Sequence, residues 1–284
     1  MKIVSLLPSA TEIVCGLGLR DQLVGVTHEC DFPESVQVLP KVTETLIPSD
    51  ASSAEIDQLV SERMASEPSL YKLDMEQLVE LAPDLVVTQE LCNVCAVPLG
   101  EVEQVFERMA IRPRLVNLSP TKLEDLYASI QEVGRVAEVP EIADQYLGQL
   151  RRRVATVVSR VTGRSRPHTA LLEWLDPPFS AGHWNPELVR LAGGIDGLNV
   201  EGAPSRRLGW AEVIDYAPEV IVIACCGFST ERAKQDLPIA EAVPGWTNIP
   251  AVRDDRVYFF DGSQFFNRPG PRLVDSLEML AEAI

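Results

Sequence analysis

Apolar residues along this chain follow two alternating rhythms. Short continuous apolar runs at 2–7, 23–27, 85–88, 169–173 and 220–224 read as strands buried on both faces of a parallel sheet. Between them, apolar positions recur at helical spacing, as in Leu123, Leu126, Tyr127, Ile130 and Val133. Glycine or proline punctuates most changes of rhythm, and these breaks predict where helices stop.

The rhythm repeats. The pattern of residues 75–87, a short amphipathic helix, Ala-Pro-Asp and a β-branched run, returns at 210–222 with Ala-Pro-Glu. Residues 11–18 and 186–193 form a weaker pair, each following a strand and ending in glycine. The runs at 114–118 and 256–260 complete the set as late strands. This order predicts duplication: an α/β fold with two Rossmann-like lobes built on parallel sheets. From Ser119 the pattern turns helical, with Pro120 at a first turn and Pro140 opening a second run that ends at Thr162-Gly163. A helix that long spans about 35 Å, enough for a single strut joining two lobes and implying a cleft of modest opening. Expected boundaries are 1–120 for the first lobe, 121–166 for the linking helices and 167–284 for the second lobe.

Composition narrows the classes. With 46% hydrophobic and 24% charged residues the chain is globular, and its length buries a sizeable core. A net charge of −17 argues against nucleic acid or an anionic membrane surface as partner. No run approaches the roughly 18 apolar residues of a membrane span. The start Met1-Lys2 leads straight into the first strand, so the expectation is a cytoplasmic chain, periplasmic only if a leader has been removed.

Three stretches carry a resemblance: Val4-Ser5-Leu6-Leu7-Pro8-Ser9-Ala10-Thr11-Glu12, Leu81-Ala82-Pro83-Asp84-Leu85-Val86, and Ala242-Val243-Pro244-Gly245-Trp246 with the run 251–258. Together they are similar to the helical-backbone (class III) periplasmic substrate-binding proteins, most of all the cobalamin-binding component of ABC importers. The resemblance implies two lobes joined by a long interlobe helix and a ligand cleft for cobalamin, a related corrinoid or another metal chelate, without catalysis. It also implies an ABC permease as partner, provided an export signal precedes the chain.

Ligands of open α/β sheets sit beyond the carboxyl ends of the strands. There the chain places His28, Glu29 and Cys30, then Glu90, Cys92 and Cys95, then Cys225, Cys226 and Phe228. His28, Cys30, Cys92, Cys95 and Cys226 form a soft donor set suited to zinc or an iron–sulfur cluster. Equally, these cysteines read as a redox pair or as small buried side chains. Cys15, inside the first helix, reads as core. The second lobe adds Glu173, Trp174, Phe179, His183 and Trp184, and the run 262–271, read as an exposed loop, adds Phe265, Phe266 and Arg268. Aromatic faces in such loops suit a large flat ring. Arg206 in a glycine-proline loop suits a carboxylate or phosphate, or a neighbouring acid. His183 is either a hydrogen-bonded structural residue or a ligand to the metal of a bound chelate, and His168 reads as inert. No Walker loop, Gly-x-Ser-x-Gly elbow or His-Glu-x-x-His occurs. The alternative to a binding protein is a cytoplasmic metal or iron–sulfur protein, with Glu29 or Glu90 as general base if it is an enzyme.

Overall fold

A computed structural model describes residues 1–48, 51–64, 70–89 and 99–284. Two compact units emerge: 1–120 with 124–148, and 121–123 with 149–284.

In the first unit, β1 (Ile3–Ser5), β2 (Leu23–Gly25), β5 (Leu85–Gln89) and β6 (Arg114–Leu118) form a parallel sheet in the order β2-β1-β5-β6. A separate antiparallel pair joins β3 (Thr43–Thr45) to β4 (Tyr71–Leu73). β1 and β5 are buried along their whole length, as continuous apolar runs require. Val4, Leu6 and Val86 pack with Leu78, Val102, Val105 and Phe106 into one core cluster.

The second unit holds β7 (Thr169–Leu175), β8 (Pro178–Ser180), β9 (Arg206–Arg207), β10 (Val220–Ile223) and β11 (Val257–Phe259), in the order β11-β10-β7-β8-β9. β11, β10 and β7 run parallel, whereas β8 and β9 are antiparallel additions. The purely parallel second sheet expected above is therefore corrected to a mixed one. Asp176-Pro177 turns β7 straight back into β8, and hydrophobic pattern alone carries no strand direction.

The repeat is reproduced down to single bonds. Helices Met75–Leu81 and Trp210–Tyr216 each end on a left-handed alanine, Ala82 (φ 47°) and Ala217 (φ 50°), before a proline. The acids that follow do the same work. Asp84 accepts the backbone N–H of Lys2 at 2.6 Å, and Glu219 that of His168 at 2.9 Å. Each thereby fixes the start of its unit's first strand. Helices Pro8–Gly16 and Asn185–Leu191 are followed by positive-φ glycines, Gly18 and Gly193.

Helix Leu123–Val136 leads through Glu138 (φ 64°) into helix Pro140–Val161, whose 22 residues rise about 33 Å. Residue 148 is the last of that helix to belong to the first unit. In the second unit Arg153 ties this helix to Leu273–Ala283, pairing with Glu278 at 2.6 Å and with Asp275.

Candidate ligand site at the carboxyl ends of the strands

In the second unit the loops after β7, β10 and β11 close on one another. Cys226 donates its N–H to the Glu173 carbonyl at 3.0 Å, and Ser263 donates to the Phe228 carbonyl at 3.2 Å. The Asn267 amide donates to the Ala224 carbonyl at 2.9 Å. Glu173, Trp174, Cys226, Phe228 and the Arg268 segment are thus brought together. Trp174 and Phe228 pack at a tilt of 38° with centroids 4.8 Å apart, and the indole N–H is fixed on the Asp176 carbonyl at 3.1 Å. Behind them the Arg232 guanidinium lies 4.2 Å over the Phe228 ring and pairs with Asp236 at 3.1 Å. Arg232 and Asp236 stand one helical turn apart, a spacing that marks such a pair in sequence. Asp236 and Asn267 escaped the sequence reading all the same.

The run 262–271 is corrected from an exposed loop. Residues Gly262–Phe266 form a π-helical turn whose start is capped by Asp261, accepting from the Gln264 N–H at 2.7 Å. Phe266 is fully buried and stacks on Phe260, centroids 5.6 Å apart. Its carbonyl accepts the Trp184 indole N–H at 2.8 Å, so Phe266 and Trp184 form one interior contact. Arg268 is buried, with its guanidinium 3.4 Å from Ser263 Oγ, and Phe265 lies 5.2 Å under the Arg272 guanidinium.

His183 takes a left-handed backbone (φ 54°), donates its N–H to the Ala203 carbonyl at 2.6 Å and stacks on Trp184. Burial holds its imidazole below the usual pKa, so the ring is neutral at pH 7. Phe179 carries Arg207 over its ring at 5.4 Å. Arg206 pairs with Glu212 at 2.9 Å and donates to the Leu198 carbonyl. Of the two roles open to Arg206, the neighbouring acid is the partner observed.

In the first unit His28, Glu29 and Cys30 follow β2 as expected. The Cys30 thiol is buried 3.1 Å from both Thr11 Oγ1 and Thr27 Oγ1, and Thr11 also reaches Ser5 Oγ at 2.9 Å. His28 Nδ1 lies 2.8 Å from Thr43 Oγ1 and Nε2 lies 3.6 Å from Glu29 Oε1. Burial lowers the His28 pKa against the opposing pull of Glu29. None of these hydroxyl partners stood out in sequence, because serine and threonine at strand ends are commonplace. Glu90, Cys92 and Cys95 lie outside the described residues. Among the described residues no three His, Cys, Asp or Glu side chains are grouped to hold a metal ion, so the zinc and iron–sulfur readings have no described ligand set. No described helix is long and apolar enough to cross a membrane.

The family model for periplasmic binding proteins matches residues 3–263. An ABC transporter substrate-binding lipoprotein of Bacillus subtilis is 25% identical, covering 100% of this chain and 79% of its own. A vitamin B12-binding protein of Vibrio cholerae is 24% identical over 98% of this chain and 87% of its own. Among solved structures, the periplasmic vitamin B12 binding protein of Vibrio cholerae aligns with a TM-score of 0.72 at 20% identity, covering 99% of this chain and 95% of that one. A periplasmic heme-binding protein of Roseiflexus sp. RS-1 aligns at 0.73 and 22% identity, covering 99% and 97%. These matches overturn the cytoplasmic expectation: a periplasmic family with a lipoprotein among the relatives places the chain outside the cytoplasm. That expectation rested on how the chain begins, and its first residues carry no such information.

Proposed function

The chain belongs to the periplasmic binding protein family, and we propose that it captures a corrinoid, vitamin B12 foremost, for delivery to an ABC permease. The observation that carries this reading is the likeness to vitamin B12-binding proteins along 98% of the chain. The packed pair Trp174–Phe228 supports it, since a large ring with apolar edges is held best by aromatic side chains at a loop-built site. No step of bond making is required of the protein.

A second reading is a porphyrin such as haem. The Arg232 guanidinium over Phe228 favours it, because a ring carboxylate could replace Asp236 as its partner whereas the amides of a corrinoid could not. Calorimetry with cyanocobalamin and, separately, haemin decides between them. We expect one cobalamin per chain with a Kd of about 1 μM or tighter, roughly −8 kcal/mol. Trp174→Ala is expected to weaken it about tenfold, the loss of one aromatic contact. Haemin binding without cobalamin binding replaces the first reading with the second, and binding of neither removes both.

A further inference from the structure

The net charge of −17 is unevenly spread. Between Asp144 and Glu173 the chain carries six arginines and not one acid: Arg151, Arg152, Arg153, Arg160, Arg164 and Arg166. Helix Pro140–Val161 sorts the first four of them by face. Leu150 and Val157 are buried, with Val154, Val158 and Val161 half-buried beside them, and these set the inward side. Arg153 borders that side and is engaged by Asp275 and Glu278. At about 3.6 residues per turn, Arg152, Thr156, Ser159 and Arg160 then face outward, and all four are exposed. Arg164 follows the helix end, its N–H on the Val161 carbonyl at 3.1 Å, and is exposed too. Among the described residues Arg152, Arg160 and Arg164 have no ion-pair partner. Arg166 donates to the Gly194 carbonyl at 2.8 Å.

The make-up of this row says what it fits. Its exposed members from 151 to 165 are arginine, alanine, serine, threonine and glycine, without one aromatic or large apolar side chain. A stable protein–protein interface is built around an apolar or aromatic centre, which this row lacks. A layer of lipid phosphates asks only for fixed cations, and a guanidinium fork meets phosphate oxygens with two parallel hydrogen bonds. Acids elsewhere on the chain repel such a layer, but their repulsion fades beyond the Debye length, about 10 Å at 0.1 M salt. A chain outside the cytoplasm has a bilayer surface within reach. The row also leads toward the amino end of β7, whereas the ligand loops of the second unit stand at the carboxyl ends of its strands.

We propose that the outer face of this helix, through Arg152, Arg160 and Arg164, docks the protein on a bilayer surface rich in anionic phospholipid. Each arginine held close to such a surface raises partitioning roughly fivefold, so the three together raise it about a hundredfold. The attraction is electrostatic and disappears as salt shortens the Debye length to about 3 Å at 1 M. It does not depend on which ligand the strand-end loops take.

Co-sedimentation of the full chain with lipid vesicles tests this. At low salt the wild type should bind vesicles of phosphatidylcholine with about 30% phosphatidylglycerol, pass over pure phosphatidylcholine, and be released at about 1 M salt. The triple variant Arg152→Ser, Arg160→Ser, Arg164→Ser should partition about a hundredfold more weakly, and the same three positions changed to lysine should retain most of the binding. Arg108→Ser, Arg112→Ser, Arg135→Ser is the control for net charge, since these exposed arginines belong to the first unit. It should bind as the wild type does. The proposal is overturned by a wild type that ignores the anionic vesicles at low salt. It is equally overturned by a triple serine variant that binds undiminished, or by a control that loses as much.

Discussion

At Gly262 the π-helical turn runs against the end of β10, where an added Cβ would stand 2.2 Å from the Cys225 carbonyl oxygen and 2.6 Å from Ala224. Neither neighbour is a side chain able to swing aside. Gly262→Ala is expected to lower stability by about 1–3 kcal/mol, read as a lower midpoint in thermal unfolding. Gly100, in helix Leu99–Phe106, meets nothing within 4 Å, so Gly100→Ala should instead add about 0.5–1 kcal/mol. The thiols differ as sharply. Burial pushes Cys225 up to about 12 and Cys15 to about 11, which leaves roughly one thiolate in a thousand or fewer at pH 8. Iodoacetamide at pH 8 followed by peptide mass mapping should therefore label Cys226 and spare the buried Cys225, with the half-buried Cys15 protected by its raised pKa alone. Equal labelling of Cys225 would mean that the end of β10 opens in solution.

The repeated helix–Ala-Pro–strand module behaves as a unit with its own energetics. A left-handed alanine costs about 1–2 kcal/mol that glycine avoids, less the backbone entropy that glycine adds to the unfolded chain. Ala82→Gly and Ala217→Gly should each stabilise the protein by about 0.5–1 kcal/mol, measured by chemical denaturation. Removing the strand clamp with Asp84→Ala or Glu219→Ala should cost about 0.5–1.5 kcal/mol each. Much of this module could be read in sequence, because proline, glycine and β-branched runs act locally. The hydrophobic pattern located β1, β5, β7 and β10, the helices between them and the duplication. It missed β8 and β9 altogether, taking Phe179 and Arg206 for loop positions, since strands of two or three residues carry too little alternation to register. It also took 262–271 for a surface loop, because glycine, asparagine and proline there mimic turn chemistry. The Phe266 carbonyl is held by Trp184, 82 residues away, and no local pattern encodes that contact.

For the molecule as a whole, the strand-end rule put Glu173, Trp174, Cys226 and Phe228 in segments that hydrogen-bond to one another, but it gave no sign of which side chains pack inward. Trp174, Phe228 and Phe266 look alike in sequence, and only their partners distinguish them. The acidic balance of −17 sets a background of mutual repulsion between copies, against which one cationic detail stands out. The second sheet stops at β9, which consists of Arg206 and Arg207, both exposed. An outermost strand offers open N–H and C=O groups to any passing chain, and two charged residues give such a visitor almost nothing to pair with. Replacing both with valine should leave the fold intact yet raise light scattering on standing, and a clear solution after days at high concentration would refute this. The shortest of the described strands thus guards against runaway sheet growth, a hazard greatest while a chain is still partly folded.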